Sequence, residues 1–170
     1  MLSLLPSVVA LGLAALAALA LALHRPSPPQ NAAQRRAAAQ ALTVAVCMQS
    51  IHFAEEALTG FDARFPELFA LPAMPFAVFI IFNLLWLVIW VASIRGLPAA
   101  RPAAFFAAWF LALAGMLNGI AHPLLAIIAG EYFPGLASSP FIGAASVWLW
   151  IRLRKATRTG GVADRPAPSL

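Results

Sequence analysis

Apolar runs long enough to cross a bilayer constrain this chain more than any other feature. A helix needs about 20 apolar residues to span a hydrocarbon core of roughly 30 Å. Only 10% of the residues are charged, whereas a soluble domain carries about 25%. The sequence therefore predicts an all-α polytopic membrane bundle of about five transmembrane helices. The predicted spans cover residues 2–23, 37–58, 76–94, 103–130 and a shorter 136–151. Pro123 is expected to interrupt the fourth span.

The loop charges predict an orientation for these spans. Ten of the eleven Lys and Arg residues lie in the 24–36 loop, the 95–102 turn and the tail, and only Arg64 lies elsewhere. Acidic residues occupy the other two loops: Asp62, Glu67 and Glu131. Because cytoplasmic loops are enriched in Lys and Arg, we expect the N-terminus outside and the C-terminus inside. Basic residues confined to loops report topology and do not predict nucleic-acid binding.

Three ionisable residues interrupt the apolar second span near its outer end. They are His52, Glu55 and Glu56. On a helix, residues three and four apart share a face, so both carboxylates flank the direction in which the imidazole points. Ionisable groups in lipid are costly and usually mark function. Alternatively, a shift of the span by four residues would place the two glutamates among the headgroups.

Polar residues on two spans fall at matching depths. The second and fourth spans run in the same direction, so depth can be counted from their basic ends. His52 and Asn118 each lie 15 residues into their spans, and Glu56 and His122 each lie 19 residues in. At 1.5 Å per residue, the first pair lies roughly 22 Å from the inner face. We predict a polar pocket near the outer face, built from the second, third and fourth spans and capped by residues 131–135.

Three short motifs occur in order at the outer ends of the spans. These are the HxxEE of His52–Glu56, the NxxxH of Asn118–His122 and the YxPG of Tyr132–Gly135. In this combination the chain, from about Gln40 to Leu153, resembles the HXXEE family of small integral membrane proteins. The resemblance implies a membrane-embedded enzyme but specifies no reaction.

The resemblance also divides the chain. It implies a four-helix membrane domain over 37–153, preceded by a first transmembrane helix over 1–23 that lies outside the shared region. We read this helix as a retained span, because no Lys or Arg precedes it; a cleaved signal peptide is the alternative. The basic Gly/Pro/Ser-rich tail over 154–170 is expected to be disordered.

The spacing of the ionisable residues suggests metal chemistry. In the inverted zincin pattern HxxEH, the first and last residues bind zinc and the glutamate acts as general base. By analogy of spacing, His52 and Glu56 would bind a divalent metal, most simply zinc, and Glu55 would activate water. His122 would complete a set of two histidines and one glutamate with an open fourth position, as in catalytic zinc sites.

Two further residues are predicted to assist. Asn118, one turn before His122, would hold a ligand or polarise a substrate carbonyl, and Tyr132 would stabilise an oxyanion from the loop. We therefore expect a metal-assisted hydrolase acting on a lipid or other amphiphile near the outer leaflet. The composition, rich in Ala, Pro and Arg, favours a bacterial inner membrane.

Two other functions use the same side chains. A metal-free enzyme, a hydrolase or an isomerase, would use the two carboxylates and two imidazoles as acid and base. A proton- or ion-binding protein, or a transporter, would use them as relay groups. Transport is less favoured because the polar groups cluster at the outer level, whereas a path needs polar stations on both sides of the midplane.

Overall fold

A computed structural model describes residues 2–158, which form six α-helices. No strand occurs within this range, so the prediction of an all-helical chain is confirmed. Short 3-10 turns precede the first two helices. The helices are α1 (Leu5–His24), α2 (Ala32–Thr59), α3 (Phe61–Glu67), α4 (Phe76–Gly96), α5 (Pro102–Ala129) and α6 (Ser139–Ala156).

Several helix boundaries differ from the predicted spans. Helix α2 begins at Ala32, five residues earlier than expected, because Ala, Gln and Arg propagate a helix well outside an apolar run. Helix α5 continues through Pro123, so the predicted interruption there is wrong. Helix α6 extends to Ala156 and includes the first residues of the predicted tail. Residues 159–170 of that tail lie outside the described residues.

Four helical segments are long and apolar enough to cross a membrane, which indicates an integral membrane protein. They are Leu5–His24, Pro29–Thr59, Phe76–Gly96 and Pro102–Ala129. Helix α6, the predicted fifth span, is not among them. Its 18 residues include three basic side chains near the C-terminal end, Arg152, Arg154 and Lys155.

Helix α5 is the central element of the bundle. It packs against α6, α1 and α4, while α2 packs mainly against α6 and α4. Glycines bring α5 and α6 to backbone contact, because a Cβ on Gly119 would lie 2.8 Å from the Cα of Gly143. Such small residues are typical of closely packed membrane helices. Deeper in the same interface, Trp109 is fully buried and packs edge-to-face on Trp150.

Polar contacts join the loops at one end of the bundle. Arg25 and Ser27, which follow α1, hydrogen-bond to Thr157 and to the Ala156 carbonyl at the end of α6. Arg35 of α2 donates to the Pro98 carbonyl in the α4–α5 turn. We call this the basic end. The opposite end carries the 60–75 and 130–138 connections.

Candidate functional site

Three buried polar side chains meet near the second end of the bundle. His52 is completely buried, and Glu56 and His122 are 6% and 2% exposed. The Oε1 atom of Glu56 lies 3.5 Å from Nε2 of His52 and 3.3 Å from Nε2 of His122. One ligand atom from each residue lies within 4.8 Å of the other two. The structure thus brings together the three predicted metal ligands, which we call the His–Glu–His cluster.

The Nδ1 atom of each imidazole has a hydrogen-bond partner, on the opposite side of the ring from Glu56. In His122, Nδ1–H donates to the Pro134 carbonyl over 2.6 Å, which leaves Nε2 with its lone pair. In His52, Nδ1 lies 2.8 Å from the Ser138 hydroxyl, whose oxygen can accept a hydrogen bond from Nδ1–H. Both rings can therefore direct an Nε2 lone pair towards Glu56. Metal-binding histidines are oriented in this way by a partner at the other ring nitrogen.

The environment of His52 fits a bound cation. Its Nε2 atom is fully buried and has no hydrogen-bond partner within residues 2–158. A buried polar atom without a partner is costly and calls for an explanation. The two Nε2–Oε1 distances also approach the roughly 3.3 Å expected between ligands of a tetrahedral zinc with bonds of 2.0–2.1 Å. Two imidazoles and one carboxylate are the ligand types of a catalytic zinc site.

The 130–138 loop covers the two imidazole rings. Gly135 has φ +87°, and a Cβ at this position would lie 2.5 Å from Cε1 of His122 and 2.9 Å from Cε1 of His52. A side chain is thus opposed both by the backbone conformation and by the rings beneath. Phe133 is also buried, with its ring centroid 6.1 Å from that of His122. This loop forms the cap that the sequence predicted.

Glu55 does not join the cluster. Its carboxylate accepts hydrogen bonds from the Ala137 and Ser138 amides, at 2.9 and 2.7 Å, and from the Tyr132 hydroxyl at 2.5 Å. The two amides lie just before α6, where backbone N–H groups lack helical partners and favour an anion. Glu55 therefore fastens the cap to α2, an arrangement that differs from the predicted general base.

Tyr132 also helps to hold the cap against α2. Its side chain is 49% exposed and its hydroxyl donates to Glu55. Burial raises the pKa of the Tyr132 phenol above its ordinary value, and the hydrogen bond to Glu55 raises it further. The hydroxyl is thus engaged away from the His–Glu–His cluster, in contrast to the predicted oxyanion role.

Asn118 lies one turn before His122 and lines a cavity of about 460 Å³ together with Glu56 and His122. Gln49 and Asn83 bring two further amides to this cavity. The walls come from α2, α4 and α5, as predicted, and also from α1 and α3. The cluster therefore lies at the border of a space large enough for a small-molecule ligand.

Sequence reasoning missed the residues that orient the histidines. Ser138 was assigned no role, although a serine immediately before Ser139–Pro140 is a typical start of a helix. The contribution of α1 to the cavity was also missed, because a uniform Ala/Leu run carries no polar stripe to mark the face that it presents.

Much of the chain matches a known protein family. The sequence profile of a family described as "Protein of unknown function with HXXEE motif" matches residues 41–149, well over half of the chain. That range includes the His–Glu–His cluster and its cap, and excludes α1. No curated protein and no solved structure matches the chain. The chain belongs to the HXXEE family.

Proposed function

We propose that this protein is a membrane-embedded, metal-dependent hydrolase that acts on an amphiphile. One observation carries the proposal: the buried His52, Glu56 and His122 converge within 4.8 Å, while the Nδ1 atoms of both histidines are held from outside. This is how a protein prepares imidazoles to bind a metal. The family match includes these residues without specifying a reaction.

His52, Glu56 and His122 would hold a divalent metal, with zinc the best fit to this ligand set. When bound, such a metal lowers the pKa of a coordinated water towards about 7 and polarises a carbonyl. Glu56 would supply the negative charge that offsets the cost of burying a cation beside two neutral imidazoles. The loop residues Phe133 and Gly135 exclude bulk water from the far side of the rings.

The other motif residues position this cluster. Glu55 and Tyr132 fix the cap, and Ser138 in turn fixes the orientation of His52. Asn118 lines the cavity one turn from His122, where its amide can donate to a substrate carbonyl. Glu55 is thus proposed as a positioning residue, and Asn118 as the group that contacts substrate.

We also propose five spans, with the basic end of the bundle inside. The contacts of Arg25, Ser27 and Arg35 group the three basic segments at one end, which the positive-inside rule assigns to the cytoplasm. Helix α6 would be the fifth span, with Arg152, Arg154 and Lys155 at its inner end. The His–Glu–His cluster would then face the outer leaflet, in an inner bacterial membrane.

A metal-free acid/base enzyme is the second candidate. The observation that favours it is the shared Oε1 atom of Glu56, which lies within 3.5 Å of both Nε2 atoms. A proton could pass between these three groups without any metal. Transport has less support, because the cavity runs towards the aromatic side chains of Trp90 and Phe110 and carries its ionisable groups at one end.

Elemental analysis tests the proposal. The protein is purified, stripped by mild chelation, reloaded with zinc and analysed beside the His122→Ala variant. The matched control is His24→Ala, because His24 ends α1 at the basic end of the bundle. We expect about one zinc per chain in the wild type and in the control, and almost none in His122→Ala.

Equal zinc in all three proteins would contradict the proposed ligand set. Absence of zinc and other transition metals from the reloaded wild type would overturn the metal-dependent reaction and favour the acid/base alternative. If zinc binds as expected, hydrolysis of lipid esters and amides is measured on the reloaded wild type against His122→Ala.

A further inference from the structure

The cavity beside the His–Glu–His cluster is deep, and most of its lining residues are apolar. Its lining reaches from Glu56 and His122 down to Trp90 of α4 and Phe110 of α5. Phe110 precedes His122 by twelve residues on one helix, a rise of about 18 Å. One leaflet of a bilayer contributes about half of the roughly 30 Å hydrocarbon core. The cavity is therefore about as deep as the acyl layer of one leaflet.

Polar groups are confined to the upper part of this cavity. Gln49 lies seven residues before Glu56 and Asn118 four before His122, which is at most roughly 10 Å along each helix. Asn83 lies one turn from Phe79, whose ring packs 5.6 Å from that of Phe53. Below them the wall is apolar and aromatic. Trp86 packs on Phe110 with ring centroids 4.4 Å apart and on Trp90 at 5.5 Å. These three side chains form what we call the aromatic floor.

The size of the cavity restricts its occupant. Its volume of about 460 Å³ lies in the lower part of the range of about 300–1,000 Å³ that holds one small ligand. This is room for one extended chain, and not for the two chains of a whole phospholipid. An apolar chain below and a polar group beside the amides would match the distribution of lining residues.

The packing of α1 and α4 indicates a lateral route between the cavity and the membrane. Helices α1 and α4 both line the cavity. Helix α1 packs on α5 and α4 packs on α5 and α2, but α1 and α4 make almost no contact with each other. Their outward faces carry exposed apolar side chains such as Leu16 and Leu85. An apolar chain can therefore enter between α1 and α4 without passing through water.

We propose that the cavity binds a single acyl chain of a membrane lipid, with the carbonyl at the His–Glu–His cluster and the aromatic floor as the limit on chain length. The proposal deepens the hydrolase function and rests on it for the reaction, but chain binding itself is measurable without turnover. Ala114 of α5 is buried in the cavity wall one turn above Phe110, so a larger side chain at this position would shorten the cavity.

Native mass spectrometry of the full chain tests this proposal. The probe is an equimolar mixture of saturated fatty acids of graded length, added to zinc-loaded protein and to chelated protein. We expect one fatty acid per chain, with occupancy that rises with length to a maximum and then falls. A chain longer than the floor allows must bend or lift its carboxylate away from the His–Glu–His cluster, so its affinity falls as well as gaining nothing from the added methylenes.

Two variants move the limit in opposite directions. Ala114→Phe fills the lower cavity and shortens it by about one helical turn, or roughly 5 Å. The maximum should shift to a shorter chain by several carbons, and occupancy by the wild-type optimum should fall about tenfold, since two or more methylenes lose burial. Phe110→Leu opens the floor and should shift the maximum to a longer chain. The matched control is Ala92→Phe, on an exposed position of α4 outside the cavity.

Occupancy that increases with length without a maximum would overturn the proposal. So would a maximum in Ala114→Phe and Phe110→Leu identical to that of wild type and Ala92→Phe. A maximum retained in protein that binds no metal would support the acyl site while the metal-dependent reaction fails. Stoichiometric zinc without a maximum would overturn this inference alone.

Discussion

The two ends of the bundle use polar side chains in opposite ways. At the basic end, the guanidinium of Arg35 is buried and donates to the carbonyls of Pro28 and Pro98, at 2.9 and 3.2 Å. Asn31 and Ser27 likewise donate to the Ala156 carbonyl, which ends α6. At the other end, Glu55 accepts from amides that begin α6. Both ends thus satisfy the unpaired backbone groups of the same helix.

The difference is the His–Glu–His cluster. Within residues 2–158, only two buried side-chain polar atoms lack a hydrogen-bond partner, Nε2 of His52 and Nε1 of Trp109. The indole of Trp109 is a donor only and cannot bind a metal. The imidazole of His52 can. The paired guanidinium of Arg35 at the basic end indicates a structural role, whereas a buried ligand atom without a partner indicates a place for something that the chain does not supply.

The largest effect on this comparison is expected from Gly135→Ala. The new Cβ would press on the rings of both histidines, where they are packed and cannot easily move. We expect zinc affinity to fall by about 10- to 100-fold, the usual cost of disturbing the groups that orient metal ligands. Competition with a zinc chelator measures this change.

The control for that variant is Gly130→Ala. Gly130 has φ +70° in the same loop, but a Cβ there would meet nothing within 4 Å. It should lose about 1–2 kcal/mol of folding stability from backbone strain and keep its zinc affinity. Equal affinity losses in both variants would show that strain, and not contact with the imidazoles, is responsible.

The next effect is expected at the basic end, from Arg35→Met. The variant keeps an apolar stem but leaves the carbonyls of Pro28 and Pro98 without their donor. We expect a loss of about 1–3 kcal/mol in the free energy of unfolding, with zinc content unchanged. Arg36→Met, on an exposed neighbouring position, is the control and should lose less than about 0.5 kcal/mol. Loss of zinc in Arg35→Met would break the separation between the two ends.

The smallest effect is expected from Tyr132→Phe. It removes one of the three donors to Glu55, and the two backbone amides remain. The free energy of unfolding should fall by about 0.5–1.5 kcal/mol, and zinc affinity should fall less than in Gly135→Ala. A loss of activity at unchanged zinc affinity and unchanged stability would instead return Tyr132 to the oxyanion role.

Much of the fold and part of the site could be predicted from the sequence. Helices follow from apolar runs, and a regular rise per residue carries depth from one span to another. The same rise predicts that His52 lies level with Asn118, and that Glu56 lies level with His122 one turn further out. Membership in the HXXEE family followed from three ordered motifs and is confirmed.

The remainder depends on loop geometry, which a regular rise cannot supply. The hydrogen-bond partners of Glu55 depend on where α6 begins, because the two amides that donate to it lie just before that helix. The helix begins three residues later than predicted. Gly135 lies over the histidines only because the loop turns back with a positive φ. The sequence of α6 also weakens its prediction as a span, because three of its 18 residues are basic and the helix is short.

The contact between Gly119 and Gly143 has a consequence for how the protein responds to its bilayer. Helices that meet backbone to backbone have no flexible side chains between them to absorb sliding. A bilayer thicker or thinner than the protein prefers is usually accommodated by tilt. Here α5 and α6 would have to tilt together, carrying His122 and the cap with them. Hydrophobic mismatch would thus move His122 and the cap as one unit within the membrane.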